Sequence, residues 1–371
     1  MPIRLISLSG GPYSRGVVFG RSHGASINAF IRDWLNSLRT AGIGAPETYV
    51  TDLLKSTNFL SAIHEYTPEV LEEVQGIAAG TSNHLDLVLA CQFMDEEWAF
   101  RASRLKDIDP PEKCSTIGIR SAPNESWVAQ NMDLGGYTDG HQVALNIAAA
   151  PEDLSELVFS VYGMIGLMGV NSSGVGVCVN SLPQLPSVRE GLPVAFVIRK
   201  LLKARSASEA IHWLKAVPHA TGQHYLIADA SKIESYEASP GGVLQYRPPV
   251  PDRILHTNHP LVVPGTRASD KYESNTAARL KSLVARLANG PVDLATIQLS
   301  LSSCDDPNNP VCRIRAKMDP AEQLAAFTTG SMISRLPSDA PVESWLAAGP
   351  PSPQDYFKIT LPVPRYFAQG S

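Results

Sequence analysis

Cys114 stands directly behind a polar, proline-bearing stretch and directly ahead of an apolar one. Residues 102–113 read ASRLKDIDPPEK, and residues 114–121 read CSTIGIRS. The Pro110-Pro111 pair excludes a helix and favours an extended, exposed connection. A thiol at neutral pH needs a base or a lowered pKa to act as a nucleophile. Hydrolysis of the peptide bond before Cys114 would place a free α-amine on the same residue. Such an amine has a pKa of about 8, so a useful fraction is neutral at pH 7. It can accept the thiol proton and later return one to a leaving group. One residue would then be both nucleophile and base. The bland alternative is a structural cysteine at a strand start, and position alone favours that alternative.

The other four cysteines carry less. Cys91, Cys178, Cys304 and Cys312 make the total five, an odd count, and no CxxC occurs. That argues against a zinc ribbon or a dithiol redox pair. Cys91 and Cys178 lie in apolar surroundings, LVLACQF and GVGVCVN, and read as core fillers. His256 and His259 flank Asn258 in HTNH, but the stretch reads as strand and loop and no carboxylates cluster there. No metal and no cofactor is expected. There is no GxSxG elbow, no P-loop and no GxGxxG opening a helix.

The motifs around Cys114 resemble a known family. Cys114-Ser115-Thr116-Ile117 is similar to the start of the mature large subunit in the acyl-coenzyme A:6-aminopenicillanic acid acyltransferases (peptidase family C45). Gly11-Pro12-Tyr13-Ser14-Arg15-Gly16 resembles the N-terminal motif of that family. Gln130-Asn131-Met132-Asp133 resembles its Asn-Trp-Asp signature. The run from Met164-Ile165-Gly166 to Asn180-Ser181-Leu182 resembles its Gly-rich hairpin. Tyr225 to Asp229, Glu237-Ala238-Ser239-Pro240 and Thr257-Asn258-His259 also match in order. The resemblance implies a self-processing N-terminal nucleophile (Ntn) hydrolase.

By this resemblance Cys114 is the nucleophile and Lys113–Cys114 the processing site. Asp133 matches the aspartate that organises the site, where a carboxylate would favour the protonated α-amine. Asn258 matches the asparagine whose side-chain amide holds the developing oxyanion. Ser115, Asn131 and Arg279 are possible substrate-contacting or supporting residues. Two departures bear on this. Lys113 stands where glycine often precedes the cysteine, and Met132 replaces the usual tryptophan. The implied substrate is a small N-acyl amide or acyl thioester, with acyl transfer to water or to an amine. Two rivals stay open: a binding protein of the same fold that never matures, and an unprocessed cysteine hydrolase using His256 or His259 as base.

These residues need elements to hold them. Of the 371 residues, 44% are hydrophobic and 18% charged, and the net charge is -5. That is globular composition with no basic block, which argues against a nucleic-acid partner or an anionic membrane surface. No run of about 18 apolar residues exists to cross a membrane. The opening residues lack a secretory signal pattern, so a cytoplasmic location is expected. A short strand IRLISLS is followed by helical periodicity from Ser14 to Leu38. Thr67 caps a helix starting at Pro68, another helix runs from Leu85 to Phe100, and Ser208 caps a further one. After Cys114, short β-branched stretches recur, with hairpin turns at Ser173-Gly174 and Ser231-Lys232. Residues 272–303 read as helical. Helices, then strands, then helices, then strands is not an alternating βαβ wind. The expected fold is α+β, a four-layer αββα sandwich with mainly antiparallel sheets. Residues 1–113 would form a small subunit of about 12 kDa and residues 114–371 a catalytic one of about 28 kDa, the two remaining associated.

Overall fold

The computed structural model describes residues 3–104, 114–148, 154–262, 270–315 and 324–362. The chain opens with strand β1 (Arg4–Leu8) and helices α1 (Pro12–Thr40), α2 (Pro46–Lys55), α3 (Phe59–Tyr66), α4 (Pro68–Thr81), α5 (Leu85–Ala90) and α6 (Met94–Ala102). Six strands follow: β2 (Ser115–Ala122), β3 (Glu125–Gly135), β4 (Gln142–Ile147), β5 (Glu156–Val161), β6 (Met168–Asn171) and β7 (Gly176–Ser181). Helices α7 (Val194–Leu201) and α8 (Ala207–Ala216) precede β8 (Gln223–Ala228), β9 (Ile233–Ser239), β10 (Gly242–Tyr246) and β11 (Arg253–His256). The chain continues through α9 (Asp270–Leu287), α10 (Leu294–Leu301), β12 (Ala326–Pro337), β13 (Glu343–Ala348) and β14 (Phe357–Thr360).

Among the described residues the strands form two sheets. One runs β1-β4-β5-β6-β7-β8-β9-β10 and the other β11-β2-β3-β12-β13-β14. All neighbours pair antiparallel except β1 with β4. The sheets stack face to face through Val128, Met132, Leu226 and Leu336. α1 packs at β1 and α8 against β8 and β10 of the larger sheet, with α4 packed on α1. α9 and α10 cover the smaller one, where Leu283, Leu287, Ile297 and Leu301 pack on Ile117, Ile119, Trp127 and Ile333. This is the four-layer α+β sandwich that the sequence leads one to expect.

Local details differ from the sequence reading. Thr67 does not cap α4 with its side chain; its Oγ1 donates back to Ile63 O at 3.3 Å. The cap of α8 is Ser206, whose Oγ accepts from Glu209 N, and not Ser208. The continuous helix expected over 85–100 is broken at 91–93. The break lets Gln92 turn inward, where Nε2 donates to Gly163 O and Oε1 accepts from Ile165 N. The helical stretch 272–303 is two helices, with Pro291 between them and Asp293 capping the second.

The N-terminal helices are welded to the rest by a buried charge network. Arg199 on α7 donates to Glu73 on α4 and to Glu156 on β5, and Arg15 on α1 joins through Glu73. Each carboxylate is shared, so none of these buried charges is left uncompensated. α1 and α4 also meet at glycines. A Cβ on Gly16 would run into Glu73 O, and one on Gly76 into Tyr13 O. Gly76→Ala should therefore force the helices apart and cost about 1–3 kcal/mol. Urea unfolding is the check; an unchanged midpoint would show that the two helices can separate freely.

Candidate active site

The β2–β3 hairpin sorts the site residues by face. Successive side chains of a strand point to opposite sides. Ile117 and Ile119 face α9 and α10, so Ser115 shares their face. Thr116 and Gly118 face the other sheet, where Leu226 closes on Gly118. Cys114 enters just before the strand, 3% exposed, with Sγ 3.5 Å from Met132 Sδ.

Two side chains converge on the main chain of Cys114. Its main-chain nitrogen donates to Asn258 Oδ1 at 2.6 Å. This nitrogen is the atom that cleavage would turn into an α-amine. Arg279, fully buried on α9, donates through Nη1 to Cys114 O and to Ser115 Oγ (3.1 Å). Its Nη2 donates to Asn258 Oδ1 at 2.9 Å, and its Nε to Asn275 Oδ1 at 3.0 Å. Thr276, one helical turn before Arg279, accepts from Asn258 N at 2.8 Å. Asn258 Nδ2 donates to Ser181 O at 3.0 Å. One face of α9 thus fixes both the main chain of Cys114 and the asparagine beside it.

The loop that carries Asn258 is clamped from β9. Glu237 accepts from Leu261 N and from Val262 N (3.2 Å), and its Oε1 lies 3.1 Å from His256 Nε2. His256 Nδ1 meets Thr257 O at 2.7 Å, so both ring nitrogens are engaged. The His256 ring stacks on His224 with centroids 3.7 Å apart. His224 in turn bonds Asn180 Oδ1 and Ser235 Oγ, and Thr116 donates to the same Asn180 oxygen. Burial, with help from His256 and Arg279, pushes His259 down to about 4.

Asp133 and Asn131 lie on the β3 face that looks to α10. Thr328 Oγ1 donates to Asp133 Oδ1 at 2.7 Å. Asn131 Nδ2 donates to Leu301 O at 2.7 Å and Val311 O at 3.1 Å, which makes it a brace for α10. Lys113 lies outside the described residues. Cys91 and Cys178 are buried, and burial raises both thiols well above their ordinary value.

Cys114 also lines a narrow cavity of about 30 Å3. Its walls include Met94, Met132, Met164, Leu134 and Ile198. A larger surface hollow, about 730 Å3, lies elsewhere, between α3, the loop at 188–191 and β10, and contains none of the residues around Cys114.

The family model of acyl-coenzyme A:6-aminopenicillanic acid acyl-transferase matches residues 120–323, more than half of the chain. The chain belongs to this acyltransferase family. The matched stretch contains Asp133, Asn258 and Arg279 and begins just after Cys114. A curated relative, the acyl-coenzyme A:6-aminopenicillanic-acid-acyltransferase 40 kDa form of Emericella nidulans, is 27% identical over 205 residues. The aligned part is 55% of either protein, so the chain spans about half the length of this relative. Three solved structures each cover 67% of the chain. They are a mutant conjugated bile acid hydrolase from Clostridium perfringens (13% identity, TM-score 0.42, 96% of that chain); an N-acylethanolamine-hydrolyzing acid amidase orthologue from Caenorhabditis elegans (16%, 0.45, 100%); and penicillin V acylase from Agrobacterium tumefaciens (17%, 0.40, 86%).

Sequence reasoning missed the supporting cast around Cys114. Asn275 and Thr276, together with Arg279, are polar at i, i+1 and i+4 on an otherwise amphipathic helix, which is a usable signal. Glu237 stood inside a matched motif without a role. Its carboxyl is opposed by burial but held below the usual range by His256 and the Leu261 and Val262 N–H groups. A depressed carboxyl contributes stability above its unfolded pKa and loses it as pH falls through the folded value. Glu237→Gln should cost about 1–3 kcal/mol at pH 7, with the gap to wild type narrowing below about pH 4. Urea titrations at the two pH values test this; a gap that does not depend on pH would refute it.

Proposed function

We propose that this chain matures by cutting itself before Cys114 and then acts as an N-terminal cysteine amidohydrolase or acyltransferase. The observation that carries the reading is the Cys114 nitrogen and Arg279 sharing one oxygen of Asn258, while Cys114 lines a largely apolar cavity.

In maturation the Cys114 thiol attacks the carbonyl carbon of residue 113. The C–N bond breaks, the nitrogen takes the thiol proton, and water hydrolyses the resulting thioester. In turnover the α-amine accepts the thiol proton and the thiolate adds to the substrate carbonyl. Asn258 Nδ2 donates to the oxyanion. Collapse expels the substrate amine, which takes the proton from the α-ammonium. Water then releases the acid and regenerates the thiol; an amine arriving instead gives acyl transfer. Hydrolysis is favoured because water is always present. Asp133 orients the charged amine, and Arg279 fixes the Cys114 carbonyl.

A histidine-assisted mechanism is disfavoured. Both His256 nitrogens are engaged away from the thiol, and His259 at about 4 is a weak base at neutral pH. Association of the two pieces after cleavage is supported by β1 pairing with β4 and by Glu73 bonding Arg199.

Intact-protein mass spectrometry under denaturing conditions tests maturation. Wild type should give two species divided between Lys113 and Cys114, and Cys114→Ala one. A wild-type chain that stays whole on long incubation would sink the proposal. In the matured enzyme, Asn258→Ala should lower kcat by about 100-fold or more while the acyl-enzyme still maps to Cys114. Unchanged turnover would remove Asn258 from the oxyanion site.

A further inference from the structure

The cavity at Cys114 carries one feature that acyl transfer does not require. Among its described lining residues, Asp95 is the only charged side chain. Asp95 is in the first turn of α6 and 8% exposed. The rest of the wall is largely apolar, with Met94, Met132 and Met164 prominent. The polar Gln92 beside it is spent, with both amide atoms bonded to main chain. No Lys, Arg or His among the described residues forms an ion pair with Asp95 or with its neighbour Glu96.

The two carboxyl groups are held differently. Glu96 accepts from Val194 N (3.0 Å) and Thr221 Oγ1 (3.1 Å). Burial and the adjacent Asp95 raise its carboxyl to about 8. Asp95 Oδ2 accepts from Gln223 Nε2. A carboxylate offers about four acceptor positions, and one amide donor leaves most of that capacity unused. A buried carboxylate without a cation is costly. A ligand that brings an ammonium into the cavity would relieve that cost.

We propose that Asp95 is the specificity determinant of the Cys114 pocket, and that the preferred acyl group is an otherwise apolar chain bearing an ammonium group. The inference rests on Cys114 being the nucleophile. The apolar wall takes the methylene groups, and Asp95 takes the ammonium. The cavity is too small for such a chain as it stands, and the three methionines are the parts able to yield, being unbranched and adaptable.

The test compares p-nitroanilides of 3-aminopropanoic, 4-aminobutanoic and 5-aminopentanoic acids with those of propanoic, butanoic and pentanoic acids, using the full-length protein and Asp95→Asn. Wild type should favour at least one amino substrate over its counterpart by about 10-fold or more in kcat/KM. Asp95→Asn should bring that ratio towards one, chiefly by a loss of kcat/KM on the amino substrate. Equal use of the two series by wild type, or a ratio unchanged in the variant, overturns the proposal. A second readout needs no turnover and no variant. n-Butylamine should protect Cys114 of the wild-type protein from iodoacetamide better than 1-butanol does. Protection without any acyl-enzyme in either series would refute the catalytic reading and leave the ammonium site standing. An acyl-enzyme without amine preference or selective protection would refute the ammonium site alone.

Discussion

The arrangement around Cys114 depends on one buried cation. Arg279 has no exposed surface, and its donors reach Cys114 O, Ser115 Oγ, Asn258 Oδ1 and Asn275 Oδ1. Hydrogen bonds to a charged group contribute about 1.5–3 kcal/mol each. Removing the guanidinium would leave several buried oxygens without their donor. Lysine could not replace it, because only the planar fork addresses β2, the 257–262 loop and α9 at once. Its position is set in turn by apolar packing. Leu283 and Leu287, about one and two turns beyond Arg279, seat α9 on Ile117 and Ile119. The outer face of β2 therefore places the helix, and the helix fixes the strand's first residues.

A second layer keeps the partner loop still. Glu237, His256, His224, Asn180 and Thr116 form a buried polar chain across β9, β11, β8, β7 and β2. It links both sheets just beneath Cys114. Such chains are stable only when each member is satisfied, since the low dielectric that strengthens a made bond also penalises a missing one. The clamp on Leu261 and Val262 is what allows a loop residue, Asn258, to serve as a fixed acceptor.

The layer order was legible in the sequence because periodicity changes at Cys114, from helical spacing before it to short β-branched runs after it. Cys114, Asn258 and Arg279 were all singled out, and the structure joins them. What stayed hidden follows from distance along the chain. Arg279 lies 165 residues from Cys114 and Glu237 19 from His256; no local pattern reports a contact of that kind. Asn131 was read as a possible site residue because it adjoins Asp133 in a motif. The structure shows it bracing the end of α10 through Leu301 O and Val311 O, a supporting contact that the motif does not announce. The missed break at 91–93 has the same origin: the turn exists to send Gln92 to Gly163 and Ile165, which the local sequence does not record.

The proposed α-amine would inherit an environment with opposing charges. The Cys114 nitrogen and Arg279 Nη2 bond the same Asn258 oxygen, which keeps them within about 6 Å, close enough for a like charge to disfavour protonation. In the proposed maturation, Asp133 is the carboxylate that would pull the other way. An amine held between a cation and a carboxylate can be neutral often enough to take the thiol proton and yet be charged when the leaving group needs one. The acceptor itself is indifferent to the change, because Asn258 Oδ1 can receive a hydrogen from a peptide N–H, an amine or an ammonium. Cleavage would then alter the charge at Cys114 without requiring Asn258 or Arg279 to move, so a single scaffold could support both the cut and the turnover that follows.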